Sequence, residues 1–146
     1  MPELRRPESV LVVVHSRDLD CLLLERVSPP GFWQSVTGAL RWGESVAAAA
    51  ARELAEETGL DPRGLRDSGV TQTFPILPAW RSKYAAEVEF NTEHLWYLAL
   101  DAAVPIQIEP REHRAYRWLP IDAAIDAASS STNRDALSKL KGLAGH

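Results

Sequence analysis

Three glutamates crowd a short stretch of this chain: Glu53, Glu56 and Glu57. The alanines just before them, Ala47 to Ala51, are the strongest helix formers, which predicts a helix from Ser45 to Thr58. Ser45 suits the N-cap, and Gly59 suits the left-handed stop, with Pro62 just beyond. Offsets of three and four share a helix face, so the carboxylates fall within a sector of roughly 100°. Ala47, Ala50, Ala51, Leu54, Ala55 and Thr58 take the remaining arc, which is expected to pack on a sheet. Two carboxylates about 6 Å apart repel by roughly 3 kcal/mol at an effective dielectric near 20. Solvation alone relieves that on many charged helices, so the three glutamates by themselves read as an acidic surface face.

The flanking residues overturn that reading. Gly38 is followed by five residues and Glu44, then seven residues and Arg52-Glu53-Leu54-Ala55-Glu56-Glu57-Thr58-Gly59-Leu60, nine defined positions within 23 residues. This string resembles the signature box of the Nudix hydrolases, enzymes that cleave a phosphoanhydride bond in nucleoside-diphosphate-like substrates. The resemblance implies an α/β fold, a Nudix-type α/β/α sandwich with a mixed β-sheet between helices. It also implies that Glu53, Glu56 and Glu57 hold metal, with Glu53 a candidate base and Arg52 orienting the carboxylates. Glu44 is then a supporting partner, and Gly38 allows a close approach with a backbone carbonyl near the metal. A further glutamate from a late loop completes such sites, for which Glu112 is the candidate and Glu109 its competitor. The physics agrees with the motif: hard oxygen donors select Mg²⁺, or Mn²⁺, over zinc. An anionic polyphosphate cannot approach bare carboxylates, and divalent cations resolve both repulsions.

A second resemblance spans most of the chain. Arg6-Pro7, Phe32-Trp33-Gln34-Ser35-Val36-Thr37-Gly38, Asn91-Thr92-Glu93, Glu112-His113 with Tyr116, and Asn133-Arg134 are similar to the bacterial dihydroneopterin triphosphate pyrophosphatases of folate synthesis. That implies release of pyrophosphate from a pterin triphosphate, leaving the monophosphate. The alternatives are a pyrophosphohydrolase of ordinary or oxidised (deoxy)nucleoside triphosphates, and a binding module without turnover. The last is disfavoured because no box carboxylate is missing. Trp33 and Gln34 would give a flat ring a stacking face and an amide, though Trp33 reads equally as a core residue. Arg26 could grip phosphate bidentately or lie on the surface. Arg81, Lys83 and Tyr84 could close over a triphosphate or form a solvated loop. Asn133 and Arg134 open the last helix, where an anion is favoured, while Asn133 also suits an N-cap.

The elements that must position these groups follow from patterning. Strands are predicted over Ser9–His15 and Cys21–Arg26, antiparallel about a turn, over Val70–Ile76 and His94–Leu100, and briefly over 106–108 and 115–119. Short pieces at 32–36 and 38–42 and helices at 120–128 and 133–140 complete the reading, with 76–91 a long irregular loop. The 146 residues are expected to form one domain, residues 1–146. Apolar residues make up 45% and the net charge is -4, which gives a core but no footprint of a nucleic-acid binder. The expected partner is therefore a small nucleoside-triphosphate-like molecule, with no nucleic acid and no membrane, and oligomeric state is left open. The lone Cys21 sits in an apolar run and reads as a buried hydrophobe. With no disulfide possible and no apolar leader, a cytoplasmic enzyme is expected. His15, His94, His113 and His146 are too scattered to suggest a metal cluster.

Overall fold

A computed structural model describes residues 3–144, so His146 lies outside the described residues. The β-branched run Val10 to Val14 forms the middle of strand β1 (Glu8–Ser16), buried on both faces. Only a strand covered from both sides can be apolar at every position. Val10, Val12 and Val14 face one core, while Leu11 and Val13 face the other.

The sheet grows outward from β1. β2 (Asp20–Arg26) returns antiparallel after a turn in which Leu19 takes φ 63. β3 (Trp33–Gln34) pairs with β2, and β4 (Val36–Ala39) pairs antiparallel with the first half of β1. β5 (Arg66–Pro75) pairs with β6 (Phe90–Leu100), and β6 lies parallel to β1. β7 (His113–Pro120) pairs antiparallel with β2. One parallel pair among antiparallel ones makes the sheet mixed.

Helix α1 (Val46–Thr58) covers one face. The Ser45 hydroxyl accepts from the Ala48 amide at 3.1 Å, and Gly59 closes the helix at φ 73. Helices α2 (Ile121–Ala127) and α3 (Ser131–Ala144) cover the other face through Ala124, Ala136, Leu137 and Leu140. The α/β/α sandwich with a mixed central sheet is thus the observed architecture. No described helix is long and apolar enough to cross a membrane. Cys21 is fully buried, and burial pushes its thiol up to about 12, which leaves it inert.

Several boundaries differ from the sequence reading. No strand forms at 106–108. Ile106 packs on the α1 side of the core, and the segment is held by single bonds: Gln107 N donates to Thr58 O, and Trp118 Nε1 donates to Val104 O. The piece expected at 38–42 is instead β4, ending at Ala39, and Trp42 stands 55% exposed. β5 and β6 both start four residues earlier than patterning suggests, because each added stretch finds a partner on the other strand: Arg66 and Asp67 lie opposite Tyr97 and Trp96, and Phe90 to Glu93 lie opposite Pro75 to Gln72. The expected irregular loop contains a 3-10 turn at Pro78–Lys83.

Asn133 joins the α3 face to the sheet. Its Oδ1 accepts from Ser35 N at 2.8 Å, and its Nδ2 donates to Ser35 Oγ at 2.9 Å, both bonds buried. It lies inside the first turn of α3 rather than capping it. Asn133→Ala should orphan the Ser35 amide and lower the unfolding free energy by about 2 kcal/mol, measured by urea denaturation.

Candidate active site

Arg52 organises the acidic cluster. Its Nε and Nη2 donate to the two oxygens of Glu44 at 2.7 and 2.8 Å, a bidentate fork. Nη2 also donates to the Ala39 carbonyl at 3.2 Å, tying the helix to the end of β4. Nη1 donates to Glu53 Oε1 at 2.8 Å and reaches Glu56 Oε2 at 3.4 Å. Glu44 accepts in addition from the Arg41 amide at 2.9 Å. These hydrogen bonds, Arg52 foremost, hold the Glu44 carboxyl down at about 2 against the opposing effect of burial. Arg52 is correspondingly held above its usual value.

Glu53 and Glu57 are not on an exposed face. Both belong to the buried stripe of α1 with Ala49, Ala50, Leu54 and Thr58, whereas Ala47 and Ala55 face solvent. The expected division into an apolar anchoring arc and an exposed acidic arc therefore fails for two of the three glutamates. The cause is the backbone of β4: a Cβ built on Gly38 would land in the carboxyl group of Glu53. Glycine at 38 is what allows the carboxylate under the strand. Burial pushes Glu53 up to about 7, against the pull of Arg52 and with help from Glu56 and Glu112. Glu56, four residues from Arg52, stays exposed and reaches Arg41 at 3.7 Å.

Glu57 is the most enclosed of the three, 2% exposed, and neither of its oxygens has a hydrogen-bond partner. Burial, then Glu53 and Glu112, drive its pKa well up. Donor atoms of Glu57, Glu112 and His113 lie within 4.8 Å of one another, at the point where β7 begins. His113 is 1% exposed, with Nδ1 unpartnered and 3.7 Å from Glu57 Oε1. Burial pushes this imidazole down to about 4, so it is neutral near pH 7 and does not compensate Glu57. As the Gln34 amide is oriented, its Nε2 donates to His113 Nε2 at 3.1 Å. Buried polar atoms without partners are rare, and the two orphaned oxygens of the Glu57 carboxylate, beside the Glu112 carboxylate, fit a hard divalent cation.

Glu109, the competitor to Glu112, turns away to accept from Arg111 Nε at 2.7 Å and is absent from this group. His113 escaped sequence reasoning because its nearest functional neighbour in the chain is Glu112 alone. Only the pairing of β7 with β2, which sets Arg26 opposite His113, brings it beneath the helix. Arg26 itself donates from Nε to Ser28 O at 2.8 Å. Its guanidinium lies 5.9 Å from the Phe32 ring and 5.8 Å from the Trp80 ring. Arg81, Lys83 and Tyr84 belong to or follow the 3-10 turn that carries Trp80, with Lys83 exposed. Gln34 is committed to His113. Trp33 packs on the α2–α3 core with the Arg117 guanidinium 5.0 Å away. Arg134 donates to the Ala128 carbonyl at 2.9 Å, while Asn133 is committed to Ser35.

Comparison with known proteins agrees with this geometry. The NUDIX domain profile matches residues 5–140, and the chain belongs to the NUDIX family. Dihydroneopterin triphosphate diphosphatase of Escherichia coli K12 is 40% identical over 141 residues, 93% of this chain and 93% of that protein. The Haemophilus influenzae protein of the same name is 34% identical, covering 95% and 90%. The solved structure of the E. coli dihydroneopterin triphosphate pyrophosphohydrolase superposes with a TM-score of 0.86 at 38% identity, covering 94% of this chain and 97% of that one.

The raised carboxyls have a consequence for stability. Unfolded glutamates ionise near 4.5, whereas Glu53 keeps its proton to about 7 and Glu57 also ionises late. The folded state then holds more protons than the unfolded state across that window, so these two groups cost stability as pH rises through it. A divalent cation should therefore raise the melting temperature more at pH 8 than at pH 5. Equal gains at both values would contradict the assignment.

Proposed function

We propose that this enzyme hydrolyses dihydroneopterin triphosphate to dihydroneopterin monophosphate and pyrophosphate, using Mg²⁺. The orphaned, buried Glu57 beside Glu53 and Glu112 carries the chemical part of this reading. The likeness in sequence and fold to dihydroneopterin triphosphate diphosphatases, at 34–40% identity over most of the chain, supports the substrate. Glu53, Glu56, Glu57 and Glu112 hold the metal, with the carbonyl region of Gly38 close by. A divalent cation bound by these carboxylates would neutralise phosphate charge and polarise the anhydride phosphorus.

The protein's own groups do the positioning. Arg52, locked on Glu44, aims Glu53 and keeps it from drifting toward the helix surface. Glu53 accepts the proton of the attacking water. His113, held at Nε2 by Gln34, walls off Glu57 from solvent. Arg26, already stacked near Phe32 and Trp80, meets the phosphate chain, while Arg81 and Lys83 belong to the same 3-10 turn as Trp80, and Arg81 donates to the Ala86 carbonyl at 3.5 Å. Trp33, Gln34, Asn133 and Arg134 act as supports rather than ligand contacts, because each is engaged within the fold.

Glu57→Gln should fold normally and lose about 100-fold or more in kcat, the equivalent of about 3 kcal/mol of transition-state stabilisation. Near-normal turnover would remove Glu57 from the metal site. Pyrophosphate release from dihydroneopterin triphosphate, measured against a panel of ordinary and oxidised nucleoside triphosphates in Mg²⁺, tests the substrate. A preference for an oxidised purine nucleotide would overturn it.

A further inference from the structure

A second buried carboxylate keeps one oxygen without a partner among the described residues, on the opposite face of the sheet from α1. Glu93 of β6 is 6% exposed, and its Oε1 has no hydrogen-bond partner. It takes no part in the metal cluster. Strand alternation sets it on the same side as Leu95 and Tyr97, under α3. Burial raises its pKa to about 7, and the side chain of Thr132, at the start of α3, works the other way.

The neighbourhood of Glu93 is polar where the rest of this face is apolar. In the strand registers Glu93 stands beside Ser9 of β1 and Gln72 of β5. Asn91, two residues away on the same side, donates to Ser9 Oγ at 2.8 Å. Phe74, opposite Asn91 and half-buried, offers an aromatic ring at the margin. A buried carboxylate costs several kcal/mol unless something pairs with it. Its fold neighbours leave one oxygen free and supply no cation. Ser9 of β1 stands between this cluster and the metal site: it lies opposite Glu93 on one side and Ala39 of β4 on the other, next to Gly38, which abuts Glu53.

We propose that Glu93 is a specificity-determining residue whose carboxylate accepts the adjacent ring N–H and 2-amino N–H of a 2-amino-4-oxopyrimidine ring. The inference rests on the substrate class proposed above. Two donors side by side match one carboxylate, as a guanidinium does. Pterins and guanine carry that edge; adenine, uracil and hypoxanthine lack it. A site built to hydrogen-bond such donors rejects analogues without them, because its buried polar atom is left unpaired.

The test is a ratio of kcat/KM values: dihydroneopterin triphosphate over UTP, whose ring carries a carbonyl in place of the amino group. Glu93→Gln should lower that ratio by about 100-fold. A ratio within about 3-fold of wild type would overturn the proposal. The unmodified protein gives a second measurement, decisive if the variant does not fold. It should turn over GTP at least about 10-fold better than ITP, which differs only in lacking the 2-amino group. Equal kcat/KM on that pair would overturn the role of Glu93. Wild-type protein that ignores dihydroneopterin triphosphate yet favours GTP over ITP would sink the pterin substrate alone and leave Glu93 as reader of the ring edge.

Discussion

Two glutamates are packed beneath a strand with too little positive charge to meet them. Among the described residues, Arg52 is the one cation within hydrogen-bonding reach of Glu53, and it is shared with Glu44 and Glu56. Glu57 receives none of it, and the imidazole at its side is neutral. The remainder of the site answers that deficit. Charge that the protein withholds can come from divalent ions, which an anionic substrate needs as well.

Placement of these charges depends on backbone more than on side chains. β1 is buried on both faces and serves as a fixed rail between α1 and the α2–α3 layer. β4 rests on its first half and brings Gly38 against Glu53. The Arg52 bond to the Ala39 carbonyl holds helix and strand in that relation. On the other flank, Glu112 in the turn before β7 and His113, the first residue of β7, arrive together where β7 meets Arg26 of β2. Three separate pieces of chain thus meet at one end of the sheet.

The two faces of the sheet divide the labour. Carboxylates on the α1 side gather in the group of Glu53, Glu57 and Glu112 that the proposed phosphate chemistry uses. The polar patch under α3, centred on Glu93, has the hydrogen-bonding character needed to choose a ring. Asn133 and Ser35 seal the α3 layer to the strand that separates the two regions. An elongated substrate with a ring at one end and phosphates at the other matches such a division.

The box from Gly38 to Leu60 was legible in the chain because it is local: helix spacing, an N-cap, a glycine stop and nine defined positions all lie within 23 residues. Glu112 was legible only through family likeness, and its rival Glu109 was set aside by a bond to Arg111 that spacing does not reveal. The depth of Glu53 and Glu57 was not legible, since a helical wheel cannot know that β4 passes overhead without a Cβ at position 38. Nor were His113, set beside Glu57 by strand pairing, or Glu93, left with one free oxygen by strand register and the distant helix α3. Residue types and short spacings thus pointed to the chemistry through the family resemblance that they carry. Burial, register and the absence of a partner are properties of distant segments meeting, and the tertiary structure decided those.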